Sequence, residues 1–114
     1  HALADALLGT AAAGDLGSVF GTTDPRFHDA PSSVFVTEAL ARAGSPRVVN
    51  VDVTLIAERP RVGPYRDAMR AVVASLLGIP VERVSVKASS GNGMTGFGRG
   101  EGVFASAVVL VEVP

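Results

Sequence analysis

The chain has 114 residues, 47% of them hydrophobic and 18% charged, with a formal net charge of −1 at pH 7 and no cysteine. That composition suits one domain with a single core and excludes a disordered chain, disulfides and thiolate metal sites. Ten basic residues against eleven acidic give no basic field, and the apolar runs near 71–77 and 103–111 are too short to cross a bilayer; nucleic acid and membrane are therefore not expected partners.

Residues 1–13 are rich in Ala and Leu, with Leu3, Ala6, Leu7 and Ala11 at helical spacing and Gly14 as a stop. The helix pattern is already running at His1, without a start signal, so an upstream segment is expected to be missing from this sequence. Residues 15–31, dense in Asp, Gly and Pro, read as a long loop of the functional kind. Ser32 or Ser33 is placed to cap a second helix that ends at Gly44. Residues 48–57 alternate Asn50, Asp52 and Thr54 with Val49, Val51 and Val53, the mark of a strand with one polar face. A Pro- and Gly-containing turn over 58–64 leads to a third helix, 65–77, whose apolar stripe is Met69, Val72, Val73, Leu76 and Leu77. Gly78 and Pro80 end it. A second strand is expected over 81–89, a Gly-rich loop over 90–102, and a last strand over 103–113, buried on both faces or at an interface.

This order implies an α+β fold: a two-layer sandwich whose mixed β-sheet carries its helices on one face, with a right-handed β-α-β crossover. The other sheet face, read as mostly Val, Ala and Ile, needs a cover, and self-association supplies one. The whole of 1–114 is expected to be a single domain.

Four stretches can carry chemistry. His1 and Asp5, at i and i+4, share a helix face and suit a metal ligand or an acid–base pair; the plainer reading is a partly buried, hydrogen-bonded helix histidine. Asp15, between glycines, can accept hydrogen bonds from a sugar diol or serve turn geometry alone, and His28 reads as a solvated side chain. The 57–63 segment leaves a strand end, where open α/β sheets bind ligands; Arg61 there can meet phosphate, or Arg59 and Arg61 are plain solvated charges. The Ser89-Ser90 pair opens the Gly-rich loop, where hydroxyls and backbone N–H groups can cradle phosphate oxygens. Alone, these features define a small phosphorylated ligand.

In combination they resemble the 2-C-methyl-D-erythritol 2,4-cyclodiphosphate synthase family. The resemblance rests on residues 1–9 (HALADALLG), 13–17 (AGDLG), 23–25 (TDP), 50–57 (NVDVTLIA), 59–61 (RPR), 86–90 (VKASS) and 98–102 (GRGEG), in the family's order over essentially the whole chain. It implies conversion of 4-diphosphocytidyl-2-C-methyl-D-erythritol 2-phosphate to the cyclic diphosphate with release of CMP. It also implies a homotrimer with sites between subunits, a zinc ion, and a second divalent ion, magnesium or manganese. The cellular setting would be a bacterial cytoplasm, or a plastid if the source is a plant or alga.

By the same resemblance, His1 is one zinc ligand, with an upstream Asp-x-His supplying the others. Asp15 (on the ribose side), Leu16 and Gly17, then Phe20, Gly21, Thr22, Thr23 and Asp24, bind substrate. Ala57, Glu58, Arg59, Pro60, Arg61, Val62 and Gly63 form the cytidine pocket, largely through backbone groups. Ser89, Ser90, Gly91 and Asn92 lie at the phosphates, with Ser90 as the transition-state-stabilising hydroxyl; Arg99, also expected to bind substrate, belongs with Glu101 to the Arg-Gly-Glu near the trimer axis. The sequence departs from the family at Asn92, where a metal-binding carboxylate is usual, at Thr22, where Asp is frequent, and at Phe97, one residue closer to Arg99 than usual. Two other readings stand beside the enzyme: a ligand-binding trimer of the same fold without catalysis, impaired at Asn92, and a purely structural trimer.

Overall fold

Residues 1–21 and 23–113 are described by a computed structural model, and every structural statement below concerns these residues. Their elements are α1 (Ala2–Gly9), α2 (Leu16–Phe20), α3 (Ser32–Arg42), β1 (Arg47–Ile56), α4 (Arg66–Leu77), β2 (Val84–Ser89), α5 (Thr95–Gly98) and β3 (Phe104–Glu112). The strands form one sheet in the order β2-β1-β3. β1 runs parallel to β2, with Val51 opposite Val84, and antiparallel to β3, with Val51 opposite Val109. The sheet is thus mixed, as expected, and α4 bridges its parallel pair.

All the packed helices lie on one face. α1 and α3 bury Leu3, Leu7, Leu8, Val36 and Ala39 against Val48 and Val51, with Val109 and Val111 beside them. α4 brings Ala74 onto Val84 and Val86, next to Val53 and Leu55. Leu7, Leu8, Val51 and Val84 are fully buried, and burying side chains of this size stabilises the fold by about 1.5–3 kcal/mol each. A β-bulge between Val48 and Asn50 turns Val48 as well as Val51 toward the helices, which breaks the strict alternation expected from the sequence.

Several expected boundaries are corrected. The first helix ends at Gly9 rather than near 13: the Thr10 hydroxyl donates to the Leu7 carbonyl at 2.7 Å, and Ala12 takes a φ of +50°. The expected long loop contains α2 and a 3-10 turn, Pro25–Phe27. α2 exists because the Asp15 carboxylate accepts from the Ser18 amide at 2.8 Å while the Ser18 hydroxyl accepts from the Asp15 amide at 3.0 Å, a reciprocal cap. Neither Ser32 nor Ser33 caps α3; Pro31 precedes its first turn and no side chain caps it. The second strand begins at Val84, because Val81–Arg83 forms a 3-10 turn. The Gly-rich loop holds the four-residue α5.

The outward sheet face also differs from expectation. On β1 and β2 it carries Asn50, Asp52, Thr54, Ser85 and Lys87, with Asp52 paired to Lys87 at 2.9 Å. Apolar side chains dominate it only on β3, where Phe104, Val108 and Leu110 are 43%, 67% and 59% exposed. β3 is therefore not buried on both faces within one chain. The period-2 alternation puts Ala107, Val109 and Val111 on the helix side and leaves the intervening residues open.

Candidate functional site

Parallel pairing of β1 and β2 puts both strand C-termini at one end of the sheet, and a cavity of about 620 Å3 opens there. One wall is the chain leaving β1: Ala57, Glu58, Pro60, Arg61, Val62 and Gly63. The facing wall is the end of β2, Ala88, Ser89 and Ser90; Leu55, Pro64 and Arg66, at the start of α4, complete the lining. A smaller apolar cavity of about 280 Å3 shares Leu55, Pro60 and Val62 with it and extends to Tyr65, Met69 and Val103. The structure thus joins two segments that the sequence singled out separately. The register is held by the Ala57 amide donating to the Ser89 carbonyl at 3.0 Å, and the Glu58 amide donating to the Phe97 carbonyl at 3.2 Å.

The hydroxyl pair sits in a tight turn. Ser89 Oγ accepts from the Gly91 amide at 3.1 Å, which leaves its proton free to donate. Ser90 Oγ accepts from the Asn92 amide at 3.2 Å and donates to Asn92 Oδ1 at 3.3 Å. A phosphate oxygen arriving here meets one uncommitted hydroxyl proton and one held only by a long, exchangeable hydrogen bond. Arg61 and Arg66 have no carboxylate partner among the described residues and supply positive charge.

Other expected site residues do not line this cavity. Asp15 is engaged in capping α2, and the Ser18 amide and hydroxyl hold its carboxyl below the ordinary range. Leu16 donates its amide to Asp5 Oδ1 at 2.9 Å, so Asp5 ties α1 to α2 instead of serving His1. Phe20 is buried, edge-on to Phe27 at 4.7 Å and to Phe35 at 5.2 Å between centroids. Gly17 lies within α2, and Gly21 closes it at a φ of +61°. Thr23 is exposed, and Thr22 lies outside the described residues. Asp24 caps the following 3-10 turn through the Arg26 amide and pairs with the Arg26 guanidinium at 3.0 Å, which lowers its pKa. His28 is solvated, as expected. Arg59 turns away from the cavity, its guanidinium beside Gly100, and Arg99 pairs with Glu101 at 3.4 Å. Arg66 was not anticipated: the sequence shows it only as one more polar position on a helix.

His1 is exposed, its ring edge-on to Phe35 at 5.2 Å. No group of three His, Cys, Asp or Glu side chains among the described residues is arranged to hold a metal ion. Three protein ligands are usual for a catalytic zinc, so the described residues do not complete such a site. Gly91 and Asn92 follow Ser90 but do not line the cavity; the Asn92 amide oxygen is engaged by Ser90, and Glu58 is the sole carboxylate in the lining.

The fold and the cavity define a mixed α+β domain with a ligand-sized cavity at the ends of its parallel strands, walled by a proline-containing loop and a serine pair. More specifically, the chain belongs to the YgbB family, whose model matches residues 1–112. It is 53% identical over 116 residues to the bifunctional enzyme IspD/IspF of Caulobacter vibrioides, covering 100% of this chain and 30% of that protein. The chain therefore spans under a third of the length of such bifunctional relatives. It is 48% identical to the 2-C-methyl-D-erythritol 2,4-cyclodiphosphate synthase of Moorella thermoacetica, over 97% of this chain and 69% of that protein. Among solved structures, the bifunctional IspDF of Campylobacter jejuni superposes with a TM-score of 0.87 at 30% identity, covering 99% of this chain and 31% of that one. A 2C-methyl-D-erythritol-2,4-cyclodiphosphate synthase in its CDP-bound form superposes with a TM-score of 0.82 at 35% identity, covering 98% and 73%.

Proposed function

We propose that this chain carries out the cyclodiphosphate synthase reaction: 4-diphosphocytidyl-2-C-methyl-D-erythritol 2-phosphate closes to the cyclic diphosphate and CMP is released. The observation that carries the reading is the cavity in which the 57–63 segment faces Ser89 and Ser90, together with a CDP-bound relative of the same fold. An oxygen of the 2-phosphate attacks the β-phosphorus; that P–O bond forms as the bond to the α–β bridging oxygen breaks, and CMP leaves with the electron pair. The attacking group belongs to the substrate, so the protein's work is to hold it bent and to offset negative charge. Backbone groups of 57–63 grip the cytosine. Ser89 and Ser90 donate to phosphate oxygens, Ser90 at the reacting phosphorus, and Arg61 offsets charge.

The wider assembly is part of the same proposal. Three copies cover one another's open sheet faces, and a neighbouring copy brings its Asp15–Asp24 stretch to the ligand that this chain's cavity holds. His1 would supply one zinc ligand, and a second divalent ion, magnesium or manganese, would help to offset phosphate charge; the steps above use only this chain's own groups. No helix among the described residues is long and apolar enough to cross a membrane. Separately, the bacterial origin of the relatives supports a bacterial cytoplasm as the setting.

Asn92 favours a second reading, a catalytically impaired homologue that binds nucleotide diphosphates. CMP release from the substrate by the whole protein decides between the two. Turnover that falls at least tenfold in Ser90→Ala supports the enzyme, and CDP binding without turnover supports the binder. Equal affinity for CDP and ADP by calorimetry removes the cytidine pocket from both.

A further inference from the structure

Most cations of this chain are matched. Arg26, Arg42, Arg47, Arg70, Lys87 and Arg99 each have a carboxylate within salt-bridge distance. Among the described residues Arg59, Arg61, Arg66 and Arg83 have none, and two of these four, Arg61 and Arg66, line the cavity that holds Ser89 and Ser90. Unpaired charge is concentrated where the hydroxyls are.

Arg66 is also in a costly place. It is the first residue of the 12-residue α4, which has no side-chain cap. A cation there opposes the helix macrodipole, whose positive end favours Asp or Glu. The neighbouring acid gives it no relief, because Asp67 pairs with Arg70 at 3.3 Å. Arg70 shows what a structural arginine looks like in this helix: its guanidinium donates to the Val84 carbonyl at 2.8 Å and the Val81 carbonyl at 3.0 Å. Arg66 makes no side-chain hydrogen bond to the described residues, so folding alone gives no reason for a cation at this position.

We infer that Arg66 is a specificity-determining residue that binds an anionic group of the cavity's ligand, acting with Arg61. On the reading proposed above, that group is the diphosphate of a cytidine nucleotide. The loop 57–63 then reads the base, the serine pair orients the phosphates, and the two guanidiniums make the site discriminate a nucleoside diphosphate from a nucleoside. Arginine suits the task because its planar fork stays charged and can bond two phosphate oxygens at once.

The test is calorimetry of CDP and of cytidine with the whole protein, as wild type, Arg66→Gln and Arg66→Lys, with thermal unfolding of each. The Gln variant is expected to bind CDP about tenfold more weakly, the size of one charge-assisted hydrogen bond at a partly wet site. Cytidine affinity should stay within about twofold, and the unfolding temperature should hold or rise, since an unfavourable helix-terminal charge is gone. Arg66→Lys should recover only part of the CDP affinity, the share that comes from charge rather than from the two-pronged fork. A Gln variant that binds CDP as tightly as wild type, or loses cytidine and CDP equally, overturns the assignment while leaving the cytidine pocket intact. A wild type that binds neither CDP nor cytidine overturns the cytidine reading and the assignment with it.

Discussion

Gly91 and Gly98 approach so closely that neither has room for a side chain. A Cβ on Gly98 would stand 2.7 Å from the Gly91 carbonyl oxygen, and a Cβ on Gly91 would stand 2.7 Å from the Gly98 α-carbon. The Met94 amide, donating to the Gly91 carbonyl at 2.9 Å, closes the same loop. Because Gly91 directly follows Ser90, this backbone contact fixes where the serine pair sits at the cavity.

Gly98→Ala is therefore expected to destabilise the protein by about 1–3 kcal/mol, as overpacking against backbone does, and to slow CMP release at least tenfold. Gly93→Ala is the control. Gly93 has a φ of +72° and open space around it, so alanine there incurs left-handed strain of about 1–2 kcal/mol without moving Ser90, and CMP release should stay within a few-fold of wild type. Thermal unfolding and CMP release check both variants. Normal stability and turnover in Gly98→Ala would show that the loop does not position the hydroxyls.

The sheet and the two longer helices following 31 were legible because their signals are periodic. β1 announces itself by polar residues at every second position, and α3 and α4 end beside Gly44 and Gly78, at φ +86° and +65°. α2 was illegible because its five residues are too few for a period and its cap is the reverse of the familiar order, with Asp first and Ser at the third helical position. Each wall of the cavity could be read by itself. Their meeting could not: the expected β-α-β crossover makes β1 and β2 parallel, but only the strand order β2-β1-β3 makes them immediate neighbours. Arg66 was hidden for a related reason: only the cavity distinguishes it from any other exposed helix arginine.

Asp15 gives a prediction on pH. Its carboxyl is held below the ordinary range of an aspartate, chiefly by the Ser18 amide and then by the Ser18 hydroxyl. A group with a lowered folded-state pKa adds stability above its unfolded pKa and loses it as pH falls through the folded value. Asp15→Ala should thus lower the unfolding temperature at neutral pH, and the gap from wild type should close as pH drops below about 4. A gap that persists unchanged at low pH would mean that the cap does not depend on the charge.

The open face makes a prediction about assembly. β1 and β2 present a polar surface with the Asp52–Lys87 pair, whereas β3 presents Phe104, Val108 and Leu110. An interface built on this face places its apolar contacts along β3. If the proposed trimer uses this face, light scattering of the wild type gives three times the chain mass at micromolar concentration and Leu110→Arg lowers it. A monomeric wild type refutes the assembly, and a variant that remains trimeric moves the interface away from β3.

Asn92 has a conformational reason to be asparagine. Its φ is +51°, a left-handed conformation that Asn and Asp tolerate better than Glu does. Its side chain meets Ser90 at 3.3 Å, so a charge at this position would face whatever phosphate the serine pair holds. Asn92→Asp keeps the turn and adds that charge, which makes it a cleaner variant than Asn92→Glu. Without a divalent ion, the new carboxylate should repel the diphosphate and weaken CDP binding several-fold, since like charges a few ångströms apart near a surface interact by about a few kcal/mol before screening. With millimolar magnesium the sign should reverse, because a hard cation gains an anionic oxygen beside the phosphates, and CDP should bind at least as tightly as to wild type. Calorimetry of CDP with and without magnesium measures both arms. If Asn92→Asp weakens CDP equally in the two conditions, position 92 repels the ligand but meets no metal, and the assignment of a second divalent ion beside it fails.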